Sequence, residues 1–263
     1  MQRAAHRDGL LIVVLTRDYV EIPVDGRAMR TFLAAPKERG PHPGVVFYSD
    51  IFQLTEPTLR WAVRLAGYGF VVAVPEIYHR IEPPATVLGF DDEGKVRGQR
   101  DADETPVADF DADIAAALSF LGEHEAVADG ALGAAGHCTG GHLAFRAALH
   151  PEVGATACWY ATGLHDGKLG ADEDAGSLAR AQEIEGELLL IWGTSDPHTP
   201  AEGRELIRAR LAAADTRLTW REYDAEHAFG RDVGDRYDPE VTDRAFAETV
   251  ALFRRALTAL PQA

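Results

Sequence analysis

The sequence predicts an α/β fold built on a mostly parallel sheet with helices on both faces. Three observations predict it. Apolar runs such as Gly44-Val45-Val46-Phe47-Tyr48 and Phe70-Val71-Val72-Ala73-Val74 are continuous rather than alternating, the pattern of strands buried on both faces. Segments with apolar residues at helical spacing separate these runs, and strand–helix alternation favours a parallel sheet. Finally, 263 residues at 46% hydrophobic and 26% charged content suffice for one domain with a sizeable core.

The first apolar run, Leu10 to Leu15, is too short to span a bilayer. Arg3 and Arg7 precede it, but Thr16-Arg17-Asp18 follows where a signal peptide would carry small residues. Residues 1–18 therefore read as a leader or an extra strand, and residues 19–263 as a single domain. Val20 to Val24 and Met29 to Ala35 form two strands around an Asp25-Gly26 turn. After the strand at Gly44–Tyr48, Leu59, Ala62, Val63 and Ala66 mark a helix from Pro57 to about Tyr68. The strand ending at Val74 is closed by Pro75.

Glu76 to Thr105 shows no clean period and reads as a long irregular segment of functional interest. Thr105-Pro106 looks like an N-cap followed by proline at the first helical position. Val107, Phe110, Ile114, Leu118 and Leu121 then repeat as one helical face. Further strands are expected at Ala131–Gly136, Ala155–Tyr160, Glu187–Trp192 and Leu218–Tyr223. The expected helices run to about Leu149, from Ala201 to Ala213, and through Val241 to Leu257, with an acidic Gly-rich insert at residues 163–181.

Bulk charge narrows the function classes. A formal net charge of −16 argues against nucleic acid and anionic membrane surfaces, since both attract basic faces. Two cysteines in so long a chain make a disulfide framework unattractive, so a reducing, cytoplasmic setting is expected. A thiol kept reduced is available as a nucleophile. Cys158, inside an apolar strand, reads as core.

Cys138 stands differently. A short apolar strand ends at Gly136, Cys138 follows, and Gly140-Gly141 open an Ala/Leu-rich helix. A sharp strand-to-helix turn strains its central residue, and glycines beside it let the two elements approach closely. The helix N-terminus then points its N–H groups at Cys138 and stabilises a thiolate. Asp196 and His227 also follow strands, at the sheet edge where functional groups of such folds gather. Their order in the chain is nucleophile, acid, histidine. Asp224 is a rival acid, three residues before His227 and too close in the chain to orient its ring from behind. His137, Cys138 and His142 raise the question of a metal, but no further ligand set has structural-site spacing.

Gly136-His137-Cys138-Thr139-Gly140-Gly141 resembles the nucleophile elbow of the dienelactone hydrolase (carboxymethylenebutenolidase) family, within the α/β-hydrolase fold. Asp50-Ile51-Phe52, Pro75-Glu76-Ile77-Tyr78, Gly193-Thr194-Ser195-Asp196 and His227-Ala228-Phe229-Gly230-Arg231 match in the same order, covering roughly residues 19–257. The resemblance implies a hydrolase of esters or lactones that uses no metal or organic cofactor. Cys138 would be the nucleophile, His227 the base and Asp196 its orienter. Backbone N–H groups of Ile51 and Thr139 would form the oxyanion hole. Asp50, Tyr78 and Arg231 would contact substrate, Arg231 holding a carboxylate, and Arg97 and Arg100 are both candidates for a second arginine. The expected partner is a small ester or lactone, anionic in the family's pattern, and the assembly a monomer or homodimer. The familiar enzymes carry glutamate where this chain has Asp50, one methylene shorter. Neutral acyl esters or thioesters, or non-catalytic ligand binding, are the alternatives.

Overall fold

Eight strands form one sheet in the order β1-β2-β4-β3-β5-β6-β7-β8 in a computed structural model that describes residues 14–38 and 40–258. The strands are β1 (Leu15–Val24), β2 (Arg27–Pro36), β3 (His42–Tyr48), β4 (Val71–Pro75), β5 (Val127–His137), β6 (Val153–Trp159), β7 (Glu187–Gly193) and β8 (Arg217–Tyr223). β1 and β2 form an antiparallel hairpin that joins β4 antiparallel, and every pairing from β4 to β8 is parallel. The parallel strands β3, β4 and β7 are buried almost throughout, as their unbroken apolar sequences require.

Helices cover both faces. On one side α1 (Glu56–Gly67) and α6 (Pro239–Leu257) pack Trp61, Leu65, Phe246 and Phe253 against the sheet. On the other, α3 (Val107–Gly122), α4 (Thr139–Ala147) and α5 (Ala201–Ala213) contribute Phe110, Leu118, Leu143 and Ile207. The α/β fold class read from the sequence is the fold observed. No helix among the described residues is long and apolar enough to cross a membrane.

Three local expectations change. Leu15 to Asp18 belong to β1, where they pair with Leu33 to Pro36, while residues 1–13 of the expected leader lie outside the described residues. The segment read as irregular contains a helix, α2 (Asp92–Glu104), capped by the Asp91 carboxylate, which accepts the Gly94 N–H at 2.8 Å. Its only large apolar side chain, Val96, is 71% exposed, so no apolar stripe betrayed it. Thr105 ends α2 instead of capping α3, and Pro106 takes the N-cap position. Asp172 Oδ2, reaching over from the insert, accepts the Val107 N–H at 2.8 Å and closes the start of α3.

Candidate active site

β5 delivers Cys138 to the carboxyl edge of the sheet. Cys138 has φ 58° and ψ −122°, a conformation that costs a non-glycine residue about 1–3 kcal/mol and persists only where surroundings enforce it. They do so through close backbone approach. A Cβ on Gly136 would run into the Gly140 carbonyl, and one on Gly140 would meet the carbonyl oxygens of Tyr48 and Ser49. The Cys138 N–H donates to Trp159 O at 3.1 Å, and its carbonyl accepts the Gly141 N–H at 2.9 Å. The side chain stands half-buried at the N-terminus of α4, lining a cavity of about 710 Å³.

The loop after β8 brings His227 to the cavity wall, and the loop after β7 sets Asp196 behind it, buried. His227 Nδ1 lies 2.7 Å from Asp196 Oδ2, and both residues are buried. Asp196 Oδ1 accepts the His198 N–H at 2.8 Å, so the carboxylate is fixed from two sides. Because the carboxylate accepts, Nδ1 carries the proton and Nε2 is left to face Cys138. Burial pushes the His227 imidazole down, yet the neighbouring Cys138 charge and the Asp196 carboxylate hold it above the ordinary value. Asp224 lies outside this cavity, in a shallower recess with Glu226 and Asp238.

Ile51 and Thr139 both line the cavity beside Cys138, and neither backbone N–H donates to a protein acceptor among the described residues. Asp50 accepts the Phe52 N–H at 3.1 Å and does not cap a helix; Thr55 holds the N-cap position of α1. Burial pushes the Asp50 carboxyl up, while Arg231, with Nη1 at 3.5 Å from Oδ2, opposes that. The Arg231 guanidinium also lies over the rings of Phe90 at 4.4 Å and Phe52 at 5.3 Å. Tyr78 is fully buried, its hydroxyl unpartnered among the described residues; burial first, then the charges of Cys138 and Asp50, push that hydroxyl up.

Arg97 and Arg100 are not brought into the cavity. Arg97 makes a forked pair with Glu82 at 2.7 and 2.5 Å, and Arg100 reaches Asp101 at 2.6 Å. The cavity-facing positions of α2 are Asp92, Lys95, Gln99, Ala102 and Asp103. Besides these α2 positions, further contributors to this cavity were not evident from the sequence. His198 stacks edge-on against His227 with ring centroids 4.5 Å apart, and Pro197-His198 directly after the expected acid was its only signal. Phe90 forms part of the rim. The stretch from Thr162 to Asp172 supplies one whole wall, which its glycine-rich composition did not reveal.

The profile of the Dienelactone hydrolase family matches residues 29–257, most of the chain. The chain belongs to the dienelactone hydrolase family. A Saccharomyces cerevisiae protein named "Putative carboxymethylenebutenolidase" is 34% identical over 242 residues, covering 88% of each chain. A carboxymethylenebutenolidase from a Pseudomonas species is 28% identical over 218 residues, 82% of this chain and 86% of its own. Among solved structures, "Putative Dienelactone Hydrolase" from Klebsiella pneumoniae superposes with a TM-score of 0.78 at 25% identity, covering 92% of this chain and 99% of its own. Membership makes the chain a hydrolase acting on esters or lactones.

Proposed function

We propose that this dienelactone hydrolase homologue cleaves its ester or lactone through an acyl-cysteine intermediate on Cys138, with His227 as acid–base and Asp196 as its orienter. One observation carries the reading: a half-buried cysteine held at φ 58° shares a cavity with a buried imidazole bonded at 2.7 Å to a buried carboxylate. That is the arrangement nucleophilic acyl transfer needs, a nucleophile, a base and a group fixing the base's tautomer.

The chemistry follows in two halves. His227 takes the proton of the Cys138 thiol, the resulting thiolate attacks the substrate carbonyl carbon, and the S–C bond forms as the carbonyl electrons move onto oxygen. The backbone N–H groups of Ile51 and Thr139 receive that oxyanion; removing one such donor typically costs about 10²–10³ in rate. The tetrahedral species collapses, the C–O bond to the alcohol breaks, and His227 delivers a proton to the departing oxygen. Water then attacks the thioester, giving its proton to His227, and the S–C bond breaks to release the acid and restore the site. Cys138→Ala removes the nucleophile with the loss of one sulfur atom. Ester hydrolysis falls to background in this variant while its thermal melt stays that of the wild type. Retained turnover overturns the reading.

Neutral acyl esters or thioesters are a second reading of the substrate, and one observation favours it. Arg231 faces Asp50, and Arg97 and Arg100 face Glu82 and Asp101, so the arginines expected to hold a substrate carboxylate all have carboxylate partners. Arg231→Ala separates the two. A carboxylate clamp predicts a larger loss on a carboxylate-bearing ester than on a neutral one of the same length; equal losses favour neutral substrates.

A further inference from the structure

His142 sits four residues beyond Cys138 on α4, fully buried, and the mechanism above makes no use of it. Its two ring nitrogens are both engaged. Nδ1 lies 2.9 Å from the carbonyl oxygen of Thr162, and Nε2 lies 2.7 Å from Ser177 Oγ. Ser177 Oγ in turn accepts from Arg146 Nη1 at 2.8 Å, and the same Nη1 reaches the Ala175 carbonyl at 2.8 Å. Arg146 is buried and its remaining donors fork onto Asp111 of α3 at 2.6 Å each.

The donors in this chain are fixed by elementary bookkeeping of protons. A carbonyl oxygen only accepts, so His142 Nδ1 carries its hydrogen. A guanidinium only donates, so the Ser177 hydroxyl is free to donate to Nε2. The network closes with the imidazole neutral and with every member satisfied. Burial, ahead of the neighbouring Arg146 charge, pushes the imidazole down to about 3, which keeps it neutral across the working range.

What this network holds is the missing wall of the cavity. Thr162, where the wall begins, donates its N–H to the Cys138 carbonyl at 3.3 Å while its own carbonyl accepts from His142. The wall then runs through His165, Lys168, Leu169 and Asp172, all facing the cavity. The Ala171 N–H donates to Thr105 O at 3.0 Å and Asp172 caps α3, before Ala175 and Ser177 return to Arg146 and His142. Both ends of the wall are thus referred to the helix that carries the nucleophile.

We infer that His142 and Ser177 are positioning residues that set the 162–177 wall against Cys138 and thereby determine which acyl or alcohol groups the cavity accepts. The inference rests on this cavity being the substrate site. Breaking the network leaves the elbow's own enforcement in place, because the close approaches at Gly136 and Gly140 and the Cys138 N–H bond to the Trp159 carbonyl involve neither His142 nor Ser177.

The test compares Ser177→Ala, Ser177→Thr, His142→Phe and His142→Gln with the wild type. The substrates are p-nitrophenyl esters from acetate to octanoate. In parallel, Cys138 is alkylated with iodoacetamide, which reads the nucleophile alone. Ser177→Ala and His142→Phe raise KM for the preferred ester about tenfold and flatten the chain-length profile, with the alkylation rate unchanged within about twofold. Ser177→Thr keeps the hydroxyl, His142→Gln keeps an NH₂ donor for the Thr162 carbonyl and an oxygen acceptor for the Ser177 hydroxyl, and both recover most of the selectivity. Ser177→Ala loses one hydroxyl only, so it reports even where His142→Phe fails to fold. An unchanged chain-length profile in folded Ser177→Ala overturns the inference, and so does an alkylation rate falling in step with kcat/KM. Failure of the underlying reading looks different: the wild type itself then hydrolyses none of these esters, or Cys138→Ala still does.

Discussion

Asp196→Asn tests the orienting role with almost no change of shape. The aspartate has two distinct duties in the structure: Oδ1 accepts the backbone N–H of His198 at 2.8 Å, and Oδ2 accepts from His227 Nδ1 at 2.7 Å. An asparagine keeps the first only by pointing its carbonyl oxygen at His198. Its NH₂ group then faces Nδ1, which must become an acceptor, so the ring proton moves to Nε2. An imidazole with a hydrogen on Nε2 cannot take the proton of the Cys138 thiol or of the hydrolytic water. The lost negative charge also removes one of the influences that hold the His227 imidazole high. An inverted tautomer in a buried triad costs about 10³–10⁴ in kcat, equivalent to about 4–5.5 kcal/mol of transition-state stabilisation. Initial rates on a p-nitrophenyl ester measure it, with circular dichroism confirming the fold. A loss smaller than about tenfold refutes the reasoning, because geometry without the correct tautomer would then suffice.

Two further outcomes follow from the same structure. His137 and His142 are each pushed by burial to about 3 from the ordinary 6.5, so the unfolded chain binds these protons before the folded one does. Their contribution to stability is intact above about pH 6.5 and is lost as the pH falls toward 3, at about 1.4 kcal/mol per pH unit for each histidine. Denaturant titrations between about pH 7 and pH 5 check this, and a flat unfolding free energy over that interval contradicts it. Gly140→Ala puts a methyl against the Tyr48 and Ser49 carbonyls, so expression of folded protein or activity falls severely; a variant with wild-type melt and rate would show that the close approach is not needed.

The strands were readable because a sheet buried on both faces imposes unbroken apolar runs, and Cys138 because its turn imposes glycines. Asp196 and His227 were readable because both follow strands, and the sheet topology then brings residues 31 positions apart to 2.7 Å. α2 was not readable, since a helix held by Asp91, by ion pairs to Glu82 and by the close approach of Gly98 to the Ile51 carbonyl needs no apolar stripe. Neither was the role of His142. Its partners Thr162 and Ser177 lie 20 and 35 residues away, in a glycine-rich stretch whose composition suggests only a loop. The arginines of α2 were misleading for a related reason: a side chain's sequence position places it on a helix, but the buried Glu82 and Asp101 decide which way it turns.

The central claim is that Cys138 carries the acyl group, and capture of that intermediate tests it most directly. A p-nitrophenyl ester is mixed with enzyme, quenched in acid within the first turnover, and the digest is weighed by mass spectrometry. The account predicts a burst of p-nitrophenolate near one equivalent and the acyl mass on the peptide containing Cys138. An acyl group found on another residue, or steady turnover by Cys138→Ala, contradicts it.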